Sequence, residues 1–330
     1  MHFWEKLRKP FFALAPMADV TDPAYRRLIA QTAKPDVMWT EFVSADGLYH
    51  TREIKKMSDA ENPLMRDLRY TEAERPVVAQ IFSSSPERIA YASELAARLG
   101  FDGVDINMGC PDKTIEKQCA GAALMKDPVR AKELVRAAKD GVARATPGGI
   151  PVSVKTRIGY DREALDTWLP ALLETEPAAV TLHLRTRKEM SLVPAHWDLM
   201  PRAVEIRDSL GSKALIIGNG DVKSMQDAEE KVRAGGCDGA MLARAIFGNP
   251  WLFSERRPED ITSAEKLAAL VLLARYFEEL SPPKHFAILK KHFKAFVSGF
   301  DGAAELRMKL MEAQNAEQVA KIIREAGPFS

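Results

Sequence analysis

The chain has 330 residues, 46% hydrophobic and 28% charged, with a formal net charge of +1; this excludes a disordered chain and exceeds one small domain. Three widely spaced cysteines, Cys110, Cys119 and Cys237, exclude a disulfide framework and a zinc site and suit a reducing cytoplasm. The first residues lack the apolar core of a signal peptide and no apolar run approaches the ~20 residues of a membrane helix, so a cytoplasmic protein without membrane contact is expected.

Eight short β-branched or apolar runs follow at fairly regular spacing, at 11–15, 37–42, 77–82, 103–108, 152–156, 179–184, 214–217 and 239–243. Each is bounded by Pro, Gly or polar residues, which reads as a strand. Helical periodicity fills most intervals, as at 86–99, 129–142 and 164–173. In the first of these, Ile89, Ala92, Leu95, Ala96 and Leu99 share one face. Alternating strands and helices predict a parallel sheet covered by helices. Eight such units within residues 1–250 predict an α/β (β/α)8 TIM barrel. An open doubly wound sheet is the alternative, but no Gly-x-Gly-x-x-Gly follows the first run.

The composition shifts near residue 251, and from Thr262 onward only helix signals remain. Thr262 with Glu265 forms a capping box leading into 267–280, Pro282-Pro283 breaks the chain, and helices are predicted over 284–297, 302–311 and 316–326. The expected division is a barrel over 1–250 and a small C-terminal helical bundle over 251–330. From 282 onward there are eight Lys/Arg and five Asp/Glu, a net of +3, so the preceding residues carry −2. Lys284, Lys290, Lys291 and Lys294 fall in a stretch without acids, which points to an anionic partner for the tail.

Asn107-Met108-Gly109-Cys110-Pro111 is the most informative stretch. Gly109 permits close backbone approach and Pro111 ends the strand, so Cys110 is held on a defined turn at the barrel mouth. Other strands also end in polar groups: Gln80, Lys155 with Arg157, His183 with Arg185, Asn219-Gly220-Asp221, and Ala243-Arg244. Active sites of such barrels form at these strand ends, with phosphate often held after the seventh and eighth strands. Glycine N–H groups and Arg244 suit that phosphate. A lysine at the barrel centre, Lys155, stabilises negative charge on a reduced ring. Together with a Cys acid, these features suggest an enzyme using flavin mononucleotide (FMN).

The stretches 15–22, 107–111, 121–125, 154–159, 183–187, 217–221 and 244–251 together make the chain resemble the tRNA-dihydrouridine synthase family. The likeness extends over nearly the whole chain, including 300–307. It implies an FMN barrel with a helical tRNA-binding part that reduces the 5,6 double bond of tRNA uridines, using NADPH. Carried over, it implies Cys110 as the acid protonating C5 while hydride reaches C6. Pro16, Met17 and Ala18 would lie along the flavin ring, with Gln80, Lys155 and His183 on its polar edge. Asn219, Gly220, Asp221, Ala243 and Arg244 would surround the phosphate. Asn107 and Arg157 would hold the uracil, Arg185 and Arg187 would meet flavin or RNA backbone, and Lys290, Lys291 and Lys294 would meet tRNA. No metal is implied, and a monomer is expected. The chain departs from the family's usual residues at Leu184, Ala243, Glu189, Ser191 and Val193. Two other readings remain: a small-molecule FMN barrel oxidoreductase similar to dihydroorotate dehydrogenase, and an RNA-binding protein without catalysis.

Overall fold

The computed structural model describes residues 2–327. Its strands are β1 (Phe11–Leu14), β2 (Met38–Trp39), β3 (Val43–Ser44), β4 (Val77–Phe82), β5 (Gly103–Met108), β6 (Val152–Arg157), β7 (Ala179–His183), β8 (Leu215–Asn219) and β9 (Gly239–Leu242). All pair in parallel, in the order β1-β9-β8-β7-β6-β5-β4-β2, with β3 also on β4. A bridge from Ala13 to Val37 and a 3.1 Å bond from the Leu14 N–H to the Val37 carbonyl join the two ends. The fold is the expected TIM barrel.

The second barrel strand differs from the continuous run expected over 37–42. It consists of two pieces, with Met38 opposite Val77 and Val43 opposite Ile81. Between them the Thr40 hydroxyl accepts the Gln80 N–H at 3.0 Å and donates to the Glu41 carbonyl at 2.8 Å. A side chain thus replaces a ladder acceptor, and the strand is interrupted at the barrel mouth.

Period-two alternation sorts the strands' side chains. Phe11, Ala13, Ala15, Val37, Trp39, Val78, Ala179, Leu215, Ile217 and Met241 form one buried cluster, distinct from the larger cluster between strands and helices. Trp4 closes the N-terminal end of this interior, its ring 5.7 Å from Phe11 and 5.9 Å from Trp39. The same inward alternation brings Gln80, Asp105, Asn107, Ser153, Lys155, His183 and Asn219 toward the C-terminal end.

Several of the helices start on side-chain caps. Asp22 accepts from the Tyr25 N–H at 3.0 Å ahead of the helix Pro23–Thr32, and Ser85 and Asp127 cap Pro86–Arg98 and Pro128–Ala145. Each of these helices also begins with proline, whose missing N–H costs nothing there. No described helix is long and apolar enough to cross a membrane.

From residue 263 the described elements are helical: Ser263–Glu278, Lys290–Phe296, Ala303–Leu310 and Ala316–Glu325, joined by turns. The Thr262–Glu265 capping box is present. Leu267, Leu270, Phe277, Phe293, Phe296 and Val319 share one buried core with Tyr25, Leu28 and Ile29. The helix expected over 284–297 is shorter than predicted. His285 Nδ1 accepts the Ala287 N–H at 3.2 Å and starts a turn over Phe286–Ile288, and the helix begins only at Lys290. Lys284 is not part of a basic surface, because its ammonium is buried against Glu41 at 2.9 Å.

Candidate active site

Asn107, the penultimate residue of β5, shapes the turn that carries Cys110. Its Oδ1 accepts the N–H groups of Gly109 (3.1 Å) and Cys110 (2.9 Å), and its Nδ2 donates to Gln80 Oε1 at 3.1 Å. A Cβ on Gly109 would meet the Thr156 backbone at 3.1 Å, so glycine lets the turn lie against β6. The Cys110 carbonyl accepts the Ala122 N–H at 2.9 Å, and a Cβ on Gly121 would sit 2.8 Å from that carbonyl. The turn is therefore held from both sides. The Cys110 thiol is half-buried, and burial raises its pKa, so it stays protonated at neutral pH.

Beside the turn, Gln80 Nε2 donates to Asp105 Oδ2 at 2.7 Å, and the Ser153 hydroxyl donates to Asp105 Oδ1 at 2.6 Å. Burial pushes Asp105 up to about 6 against these bonds. Asp105 was missed in the sequence; an acid at an inward position of an apolar strand was the available signal. Lys155 Nζ lies 3.3 Å from Asn219 Oδ1, while Asn219 Nδ2 donates to the Met241 carbonyl at 2.7 Å. Burial, and then the Arg157 charge, bring Lys155 down to about 8.

On the β7–β8 side, Arg185 is nearly fully buried. It donates to the Val193 carbonyl at 2.6 Å, to His183 Nε2 at 3.1 Å and to Asp221. Burial and the surrounding Lys155, Arg157, Arg185 and Arg244 charges hold His183 neutral, far below its ordinary range. The second Asp221 oxygen accepts from Arg244, whose side chain is 64% exposed. Burial alone would raise Asp221, but the Ala195 N–H and the two arginines bring it below its ordinary value. Gly220 has φ +121°, and a Cβ there would lie 2.9 Å from Ala195 and 3.1 Å from His183. Its carbonyl accepts the Trp197 indole N–H at 2.7 Å.

The structure thus brings Cys110, Gln80, Asn107, Lys155, Arg157, His183, Arg185, Asn219, Gly220, Asp221, Ala243 and Arg244 to one end of the barrel. Pro16 and Met17 lie half-buried beyond β1 with Ala18 exposed, and the Met17 N–H donates to Thr21 Oγ1 at 2.9 Å. Arg157 donates through Nε to the Gly109 carbonyl (2.9 Å) and through Nη1 to the Thr186 and Met190 carbonyls (each 3.0 Å). Arg187 is paired with Glu116, at 2.8 Å from Oε1, which ties the loop after β7 to the short helix Lys113–Glu116. Lys290, Lys291 and Lys294 stand apart on the tail. Lys291 and Lys294 are exposed, whereas Lys290 donates to the Met311 carbonyl at 2.6 Å. A large cleft, about 1460 Å³, lies at the opposite barrel end around Trp4, Gly149, Ala178 and Leu215 and touches none of these residues.

The dihydrouridine synthase family model matches residues 13–327. A "probable tRNA-dihydrouridine synthase" of Staphylococcus epidermidis is 38% identical over 325 residues, covering 98% of this chain and 95% of that protein. A "probable tRNA-dihydrouridine synthase 2" of Bacillus subtilis matches with the same identity and coverage. Among solved structures, a 2-naphthoyl-CoA reductase complex aligns with TM-score 0.52 at 14% identity, over 76% of this chain and 50% of that one, a likeness of fold. The chain belongs to the dihydrouridine synthase family.

Proposed function

We propose that this protein reduces uridines of tRNA to 5,6-dihydrouridine at the barrel mouth, with bound FMN and with NADPH as reductant. In this reading residues 1–250 form the catalytic unit, residues 251–330 form the tRNA-binding part, and the protein works as a cytoplasmic monomer. The observation that carries it is the half-buried Cys110 thiol on a turn braced from both sides, in a chain whose family membership spans 13–327.

The donor set suits a flavin. It offers a cation at the barrel centre (Lys155), amide groups beside it (Gln80, Asn107, Asn219), and an exposed guanidinium (Arg244) next to a glycine turn. When bound, the flavin supplies the hydride that reaches C6 of the uracil. Cys110 holds the proton for C5, which gains enolate character as C6 is reduced; the resulting thiolate is reprotonated from solvent. Lys155 would hold the flavin and stabilise negative charge on it, and neutral His183 would add a polar contact without extra charge. Pro16, Met17 and Ala18 would line the flavin. Arg244, with the backbone of Asn219, Gly220, Asp221 and Ala243, takes the phosphate, while the Asp221 carboxylate aims Arg244 rather than meeting the anion itself. Arg185 braces His183 and Asp221. Asn107 and Arg157, through the Nη2 left beyond its three carbonyl contacts, hold the base. Lys291 and Lys294 meet RNA backbone.

The test is to incubate flavin-loaded protein with NADPH and unmodified tRNA and map dihydrouridine. Product in tRNA, with no reduction of free uracil or orotate, is the expected outcome. Reduction of the free pyrimidines alone would favour the small-molecule reading.

A further inference from the structure

The interruption of the second barrel strand and the basic tail meet at one point. Lys284 lies 243 residues from Glu41 in sequence, yet its Nζ is 2.9 Å from Glu41 Oε2 and 3.3 Å from Asp67 Oδ1. The Lys284 and Glu41 side chains are 5% and 7% exposed. Arg66 reaches the same junction, donating to the Pro282 carbonyl at 3.1 Å and the Pro283 carbonyl at 3.4 Å. A cleft of about 360 Å³ opens beside the pair, between Ala18 and Phe42 at the barrel mouth and Pro283 and Ile288 of the tail.

A buried ion pair is a poor source of stability, because desolvating two charges offsets most of their attraction. It is a strong source of registry, since either charge left alone in the same place is costly. Burial would lower Lys284, but Glu41, Asp67 and Asp22 together raise its pKa, so the tail lysine stays charged where it is held. Glu41 is also joined to the catalytic turn. Its carbonyl accepts the Thr40 hydroxyl, which accepts the Gln80 N–H; the Gln80 amide accepts from Asn107, and Asn107 accepts the Cys110 N–H. One end of this chain of bonds is the tail and the other is the proposed acid.

We propose that Glu41 and Lys284 are positioning residues that latch the C-terminal helices to the broken second strand, setting where a folded tRNA sits relative to Cys110. This rests on the tRNA reading, and it assigns the latch no contact with substrate or flavin.

The experiment compares flavin-loaded parent, Lys284→Met, Glu41→Gln and the double variant. Amide exchange over 282–297 is read without RNA, and KM and kcat are read with tRNA. Each single change should speed exchange in that segment and raise KM for tRNA on the order of tenfold, with flavin content and NADPH-driven flavin reduction unchanged. The double variant should be no worse than Lys284→Met, because the two effects share one interaction. Lys284→Arg, which keeps the charge, should recover most of the KM and covers the case in which Lys284→Met does not fold. Unchanged exchange in Glu41→Gln overturns the latch whatever the protein's substrate. Faster exchange with unchanged KM overturns its role in placing tRNA. A parent that leaves tRNA unreduced defeats the functional reading instead, while the exchange result still decides whether the latch exists.

Discussion

Arg185 Nη1 lies 3.1 Å from His183 Nε2. A guanidinium donates and does not accept, so Nε2 presents its lone pair and the imidazole proton sits on Nδ1. The histidine at the end of β7 is therefore a neutral ring of defined tautomer. An arginine that the family resemblance would place against flavin or RNA backbone fixes it, and the same arginine also holds Asp221 and the Val193 carbonyl.

Cys110→Ala should retain bound flavin and its reduction by NADPH but lose roughly 10²–10⁴-fold in uridine reduction. Mixing pre-reduced enzyme with tRNA isolates this step. In the parent, that step should stay level through neutral pH and slow only above the ordinary thiol value of 9.0, because burial raises the pKa and the acid acts while protonated. An undiminished rate in the alanine variant removes Cys110 from the role.

Lys155 titrates at about 8, below its ordinary 10.5, so its charge is lost as pH rises through about 8 in flavin-free protein. Affinity for riboflavin, which has no phosphate to titrate, should fall over that interval. Lys155→Gln should bind more weakly at neutral pH and show no such step. A pH-independent affinity in the parent would mean that the charge does not face the flavin ring.

Arg244 is largely exposed and, among the described residues, is held by Asp221. Arg244→Ala should weaken FMN binding by roughly ten- to hundredfold, the value of a hydrogen bond to a charged group, and leave riboflavin binding unchanged. Equal losses for both ligands would place the arginine away from the phosphate.

Gly220→Ala should destabilise the protein by about 1–3 kcal/mol, the cost of a side chain at strained positive φ, and urea unfolding measures it. The new methyl would press on Ala195 and His183, so flavin affinity should fall as well. Wild-type stability and affinity would show that the turn relaxes freely.

Lys291→Glu with Lys294→Glu should raise the Kd for tRNA and flatten its salt dependence, because phosphate contacts release counterions. Lys290→Glu should instead lower the melting temperature, since its ammonium holds the Met311 carbonyl. If the paired change leaves the salt slope intact, the RNA surface lies elsewhere.

The sequence alone determined the barrel and the turn at 107–111. Strand runs, helix periodicity, the capping box at Thr262 and the Asn-Met-Gly-Cys-Pro stretch are local patterns, because alternation and turn chemistry act over a few residues. The grouping of Gln80, Lys155, His183 and Asn219 near strand ends followed from the same runs. Only the tertiary structure decided which charges are free. Lys284 and Lys290 read as two lysines of one basic run, yet one is buried on Glu41 and the other ties down Met311. Arg157, Arg185 and Arg187 read as ligand contacts, yet each is held by backbone carbonyls or acids of the fold. Asp105 and Thr40 drew no notice, although both anchor Gln80. A long charged side chain takes its partner from whatever the fold brings within about 3 Å, and for Glu41 and Lys284 that partner lies 243 residues away.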